Sequence, residues 1–112
     1  MFWEKKAFPI KLKEGDEIRA HNKGWAWAVY FFRFNRRSGV WEEVRCRSSH
    51  LQMKVHLGGS EEEQILAAKG IIEIVAGFAG HRLNPSKGQR RVGLEREGVV
   101  VQGWIGEPVN RV

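Results

Sequence analysis

The ten residues from Trp25 to Phe34 constrain this chain most: Trp-Ala-Trp-Ala-Val-Tyr-Phe-Phe-Arg-Phe. Aromatic and β-branched side chains suit a pleated, half-buried surface. The polar stretch Asn35 to Gly39 follows, and then a second aromatic and β-branched run opens with Val40 and Trp41. Two such runs around a short loop ending in Gly make a β-hairpin. The chain therefore begins a sheet here, and the rest of it must cover that sheet.

Side chains alternate faces along a strand, so the hairpin has two readable sides. With Phe34 opposite Val40, Tyr30 faces Val44 and Ala28 faces Cys46, which makes the expected core side. The other side carries Trp25, Trp27, Val29, Phe31 and Arg33 on the first strand, and Trp41, Arg45 and Arg47 on the second. It mixes flat aromatic rings with guanidinium groups. A slip of one residue in the loop would change every pair.

Upstream, Phe8, Ile10 and Leu12 alternate with Lys11 and Lys13, which reads as a short strand with Pro9 near its start. Turns are expected at Glu14-Gly15-Asp16 and Asn22-Lys23-Gly24, with a strand around Ile18 between them. Downstream, Leu51, Met53, Val55 and Leu57 alternate with polar residues, as in a sheet with one wet face.

Gly58-Gly59 then breaks the pattern, and Ser60-Glu61-Glu62-Glu63 forms a capping box. A long helix over about 61–79 follows, stopped by Gly80. Ile65, Ala68, Ile72, Val75, Ala76 and Ala79 make an apolar stripe, widened by Leu66, Ile71, Ile74 and Phe78. A helix this apolar is covered on more than one side. Gly70 and Gly77 share a face that permits close approach, which favours a homodimer. Residues 81–91 read as a mobile basic loop, and Val92 to Ile105 as a second hairpin turning at Glu97-Gly98.

The expected fold is thus α+β: an antiparallel sheet of about 5–7 strands packed on one long helix, with a C-terminal β-hairpin, all in a single domain over 1–112. Short strands followed by a helix are similar to the order in Whirly and Pur-type single-strand-binding proteins, a likeness of architecture that no motif residue carries.

The chemistry is sparse. One cysteine, Cys46, excludes an internal disulfide and a cysteine-based zinc cluster, and favours a reducing, cytoplasmic setting. The N-terminus lacks the apolar run of a signal peptide, and no stretch is long and apolar enough to cross a bilayer. No Walker-type glycine loop, His-Glu-x-x-His or Cys-x-x-Cys is present. Gly58-Gly59-Ser60 would offer an anion a helix N-terminus, but three glutamates repel it. His56 beside Lys54 is the one grouping that could be drawn for acid–base cleavage of RNA, and ordinary exposed residues are the better explanation of it. The sequence favours a binding protein over an enzyme, with no cofactor or metal.

A formal charge of +6 suits a polyanionic partner. The expected interface is the aromatic and basic side of the sheet with its basic loops: Trp25, Trp27, Phe31, Arg33, Arg36, Arg37, Trp41, Arg45, Arg47, Lys54, Arg82, Lys87, Arg90 and Arg91, with Lys11 and Lys13 nearby. Rings interleaved with cations suit single-stranded nucleic acid. Two other readings compete. The tryptophans form a second core under the C-terminal hairpin around Trp104, or the basic hairpin docks on an acidic protein surface as a small inhibitor or adaptor. A ligand-binding or enzymatic pocket between sheet and helix is a further alternative.

Overall fold

The computed structural model describes residues 8–23, 26–44, 51–53, 60–95 and 98–109. The fold is α+β. Among the described residues, the chain runs β1 (Glu17–Asn22), β2 (Trp27–Asn35), β3 (Val40–Glu43), β4 (Leu51–Met53), α1 (Glu61–Phe78), β5 (His81–Leu83), β6 (Gln89–Glu95) and β7 (Gly98–Pro108). Every strand pairing among the described residues is antiparallel.

The order across the sheet is simple once its edges are seen as broken strands. β1 is central, with β2 on one side and β7 on the other. β3 and β4 both pair with β2, at opposite ends of it. β5 and β6 share the outer edge of β7 in the same way. Gly106 marks the close approach of β5: a Cβ there would lie 2.9 Å from the backbone of Arg82 and Leu83.

The register decides which side is inside. Ile18 pairs with Phe31 and Ala20 with Val29, while Ile18 also meets Gly103 and Ala20 meets Val101. Directly opposed residues share a face. The front face therefore carries Ile18, Ala20, Trp27, Val29, Phe31, Val101 and Ile105, all buried in one cluster with α1. This reverses the expectation from the hairpin, which put Trp27 and Phe31 on a wet face. Trp27 is 0% exposed and Phe31 1%. At the start of β2 the odd set holds Trp27 and Val29 against Ala28, and burying those removes more apolar area from water, while the rings of the even set, Tyr30, Phe32 and Phe34, fall towards the other end of the strand. Ala26 and Ala28 are buried too, so the start of β2 is covered on both sides and its alternation is weak.

The hairpin register also differs. Asn35 extends β2 and pairs with Val40, so Phe34 faces Trp41 and Arg33 faces Glu42. The loop is one residue shorter than expected because Asn35 organises it. Its Oδ1 accepts from the backbone N–H groups of Arg37 (2.9 Å) and Ser38 (3.3 Å). Gly39, with φ +76°, supplies the left-handed step back into β3.

Helix α1 begins as its sequence requires. Ser60 Oγ accepts from the Glu63 N–H at 3.3 Å, and Glu63 Oε1 accepts from the Ser60 N–H at 3.1 Å. It runs 18 residues to Phe78, with Ala79 at the cap and Gly80 at φ +83°, which is an ordinary length rather than a long one. Ala68, Ile71, Ile72, Val75 and Ala76 are buried against the sheet. Gly103 admits the helix closely: a Cβ on it would sit 3.2 Å from Ile72 Cγ2.

Phe8 to Lys13 does not form a strand; it is a strap. Its alternation still holds, because Ile10 and Leu12 are buried and the Phe8 ring meets Phe31 edge-on at 6.1 Å. β4 matches only Leu51–Met53 of the expected strand; 54–59 lie outside the described residues. β6 and β7 pair from Gln89↔Gly103 to Glu95↔Gly98. Gly98 is thus already within β7, and 96–97 lie outside the described residues. No helix of the described residues is long and apolar enough to cross a membrane.

Two substitutions test this packing by urea unfolding. Gly106→Ala forces the β5 backbone away and is expected to cost roughly 1–3 kcal/mol. Ser60→Ala removes a helix cap and should cost about 1 kcal/mol. Equal stability of Gly106→Ala and wild type would contradict the β5–β7 approach.

Candidate nucleic-acid interface

The face away from α1 is built from the even residues of β2 and their partners. Phe34 opposes Trp41, Phe32 opposes Glu43, and Glu17 opposes both Phe32 and Trp104. Arg90 opposes Gln102 on the same side. This back face is aromatic and charged, as expected of a binding side, but with other residues in it. Its middle is closed by a tight polar group. Glu17, 3% exposed, accepts from Arg19 Nε at 2.7 Å and from Gln102 Nε2. The Arg19 guanidinium lies 4.8 Å over the Phe32 ring, and Lys87 Nζ lies 5.4 Å over Trp104. Each such contact is worth about 0.5–2 kcal/mol, depending on desolvation.

At one end the back face opens. Phe34 is 45% exposed and Trp41 40%, with ring centroids 5.6 Å apart at 63°. They line a cleft of about 330 Å³ with Lys13, Glu14, Gly15, Asp16, Arg33, Arg36 and Lys87. Three separate segments meet there. The β2–β3 hairpin brings Phe34, Arg36 and Trp41. The turn before β1 brings Lys13 to Asp16, and the loop between β5 and β6 brings Lys87.

The turn is fixed to the sheet from both sides. The Gly15 N–H donates to Ile105 O at 2.8 Å, and the Ile105 N–H donates to Asp16 O at 2.7 Å. Gly15 has φ +95°, which lets the chain double back there. The Asp16 carboxylate, 2% exposed, accepts from Arg33 Nε at 2.9 Å, from Arg33 Nη2 at 2.7 Å and from the Lys13 N–H at 2.9 Å. Arg33 also donates to Lys11 O at 3.0 Å. The hydrogen bond to Asp16 raises the Arg33 pKa above its ordinary value, against a smaller opposing effect of burial. Arg33 is therefore a brace between β2 and the turn, not a free phosphate contact. With Arg33 and Asp16 neutralising each other, the cleft presents Lys13, Arg36 and Lys87 against Glu14. A neighbouring cleft along Asn35, Glu42 and Glu43 has the opposite sign and suits no polyanion.

The expected interface residues separate into groups. Arg36, Arg37 and Trp41 are exposed at the hairpin; Lys87 and Arg90 are exposed towards the back face. Arg82 is exposed and lines a second cleft of about 440 Å³ with Asn84, Pro85, Ser86 and Glu107. Arg91 points to the front, where it pairs with Glu61 at 2.5 Å. Trp27 and Phe31 are core and offer no stacking plane. Trp25, Arg45, Arg47 and Lys54 lie outside the described residues, as do Cys46 and His56. Phe34 was not expected at the interface, because the longer loop placed it on the core side. Trp104 lies on the back face, whereas Val99 and Val101 pack with Trp27, so the expected second core under Trp104 is divided between two faces. Among the described residues, no cluster of His, Cys, Asp and Glu is arranged to hold a metal.

Comparison with protein families, with characterised proteins and with solved structures finds no match to this chain. The functional reading therefore rests on the geometry of the cleft.

Two expectations follow for stability. Trp27→Ala empties the core and should cost about 3–5 kcal/mol, while Trp41→Ala should cost less than about 1 kcal/mol. Asp16→Ala strands the Arg33 guanidinium and should cost about 2 kcal/mol. Urea midpoints measure all three; a larger loss for Trp41 than for Trp27 would reverse the assignment of faces.

Proposed function

We propose that this is a small, non-catalytic nucleic-acid-binding protein whose contact is the cleft between the β2–β3 hairpin, the turn before β1 and the loop after β5 that carries Lys87. A single observation carries the reading. Two exposed rings, Phe34 and Trp41, stand beside Lys13, Arg36 and Lys87, none of which has an ion-pair partner among the described residues. An unpaired base presents a π-face to Trp41, and its flanking phosphates meet the three cations. Single strands are favoured because a duplex keeps its bases stacked on one another. Arg37 at the hairpin tip and Arg90 on β6 extend the positive track beyond the cleft.

The magnitudes set the test. A base stacked on an aromatic side chain contributes roughly 1–3 kcal/mol. Three phosphate contacts on a single strand give a salt slope of about −2, or roughly a 20-fold loss of affinity from 50 to 200 mM salt. Trp41→Ala should therefore weaken single-strand binding by about 5- to 100-fold. Lys13, Arg36 and Lys87 replaced together by Ala should flatten the salt dependence. Fluorescence titration with single-stranded and duplex DNA and RNA at two salt concentrations measures both effects. Salt-sensitive binding indifferent to Trp41 would move the contact to the arginines of the hairpin tip and to a duplex backbone. No binding to any of them at low salt would sink the proposal.

One observation favours a second reading. Val40, 53% exposed, pairs with Asn35 and so lies on the other side of the hairpin from Phe34 and Trp41, where an aliphatic side chain adds nothing to base stacking. Apolar side chains exposed on both sides of a hairpin, with Arg36 and Arg37 at its tip, also suit a hot spot for an acidic protein. A partner retained after nuclease treatment and lost in Val40→Glu supports that reading instead.

A further inference from the structure

The helix that covers the front of the sheet has a bare side of its own. Leu66 is 67% exposed and Ile74 50% exposed. Gly70 lies between them in sequence and Gly77 one turn beyond; a Cβ at either glycine would meet nothing within 4 Å. With 3.6 residues per turn, Leu66, Gly70, Ile74 and Gly77 fall within a sector of about 80°. Glu73 and then Lys69 border that sector on one side. Ala67 and Phe78 border it on the other.

We propose that this face joins two copies of the chain, with their α1 helices antiparallel and crossing at Gly70. The pattern is its own complement. Leu66 and Ile74 stand four residues before and after Gly70, so a two-fold axis at Gly70 sets Leu66 of each copy level with Ile74 of the other. Such an isologous contact repeats every interaction twice. Gly70 lets the two backbones approach, and Gly77 leaves room opposite Glu63, whose carboxylate is already held in the helix cap.

Charge selects the orientation. The same axis lays the Lys69–Glu73 border against its own copy. Lys69 of one helix then meets Glu73 of the other with an offset of about 3 Å along the axis, and the pair occurs twice. A parallel arrangement would lay that border against Ala67 and Phe78 and form no ion pair. Within one helix Lys69 precedes Glu73, the less favourable order for an i,i+4 pair, so little local pairing competes. The cleft proposed for nucleic acid lies on the other side of the sheet and stays open in both copies, so the two inferences stand or fall separately.

Sedimentation equilibrium over a concentration series tests the association, with a limit of twice the 12.9 kDa chain mass expected. Ile74→Glu should leave a monomer that keeps its far-ultraviolet circular dichroism. Lys69→Glu should weaken association by about tenfold, and adding Glu73→Lys should restore it. In a Cys46→Ser background, Gly70→Cys should oxidise to a disulfide-linked dimer, because only a residue on the axis meets itself. Glu62→Cys should not, since its two copies lie about 24 Å apart along the axis, beyond disulfide reach. A protein monomeric up to about 1 mM would overturn the proposal. So would a dimer indifferent to Ile74→Glu, or one cross-linked through position 62 and not 70.

Discussion

β1 is the strand on which both halves of this molecule are hung. Six residues long, it pairs along its whole length with β2 on one side and along nearly all of it with β7 on the other. Ile18 and Ala20 therefore decide the direction of three strands at once. With both turned towards α1, Trp27, Val29 and Phe31 must follow on β2, and Val101 and Ile105 on β7. Gly103 opposite Ile18 removes a side chain where Ile72 of the helix descends. A one-residue slip of β1 against its neighbours would turn Ile18 and Ala20 away and set Glu17 and Arg19 under the helix. Burying charge without its partners is costly enough to forbid that alternative.

The candidate site is a consequence of the same register. Once the odd residues of β2 are committed to the core, Phe32 and Phe34 must lie on the back. Phe32 is then held beneath Arg19, while Phe34 reaches the open end of the sheet beside Trp41. The turn before β1 is tied to β7 by the backbone bonds of Gly15 and Asp16 and to β2 by Arg33. Those ties hold Lys13 at the cleft without using its ammonium group. Positive charge is thus presented by residues whose neighbours are already satisfied, which is the condition for an anion to compete with water there.

Much of the architecture is legible in the chain. The helix is plain because its signals are local: Ser60 and Glu63 at one end, Gly80 at the other, with a 3.6-residue apolar period between. The strands β1 and β2 are legible from alternation and residue type. The face of β2 is harder, because Ala26, Trp27, Ala28 and Val29 are all buried and both parities look apolar. The bulk of Trp27 and Val29 against Ala26 and Ala28 favours the odd set at the start of the strand, but the even rings Tyr30, Phe32 and Phe34 further along pull the other way. The hairpin pairing turns on Asn35, which reads as a loop residue by composition yet caps the loop from within the strand. The strap at Phe8 to Lys13 keeps a strand's alternation without a strand's hydrogen bonds, a distinction that sequence does not carry. The meeting of Lys13, Arg36, Trp41 and Lys87 is a product of topology alone, since 74 positions separate its ends.

Trp41 is an exposed tryptophan, while Trp27 is buried structure. Proton–nitrogen correlation spectra of the protein show each tryptophan indole N–H as a separate signal. Adding a short single-stranded oligonucleotide at low salt should shift or broaden the Trp41 indole signal. The Trp27 signal should stay in place and exchange slowly with solvent. Movement of the Trp27 signal with Trp41 unchanged would contradict the account, because it would place the tryptophan of the core at the binding surface.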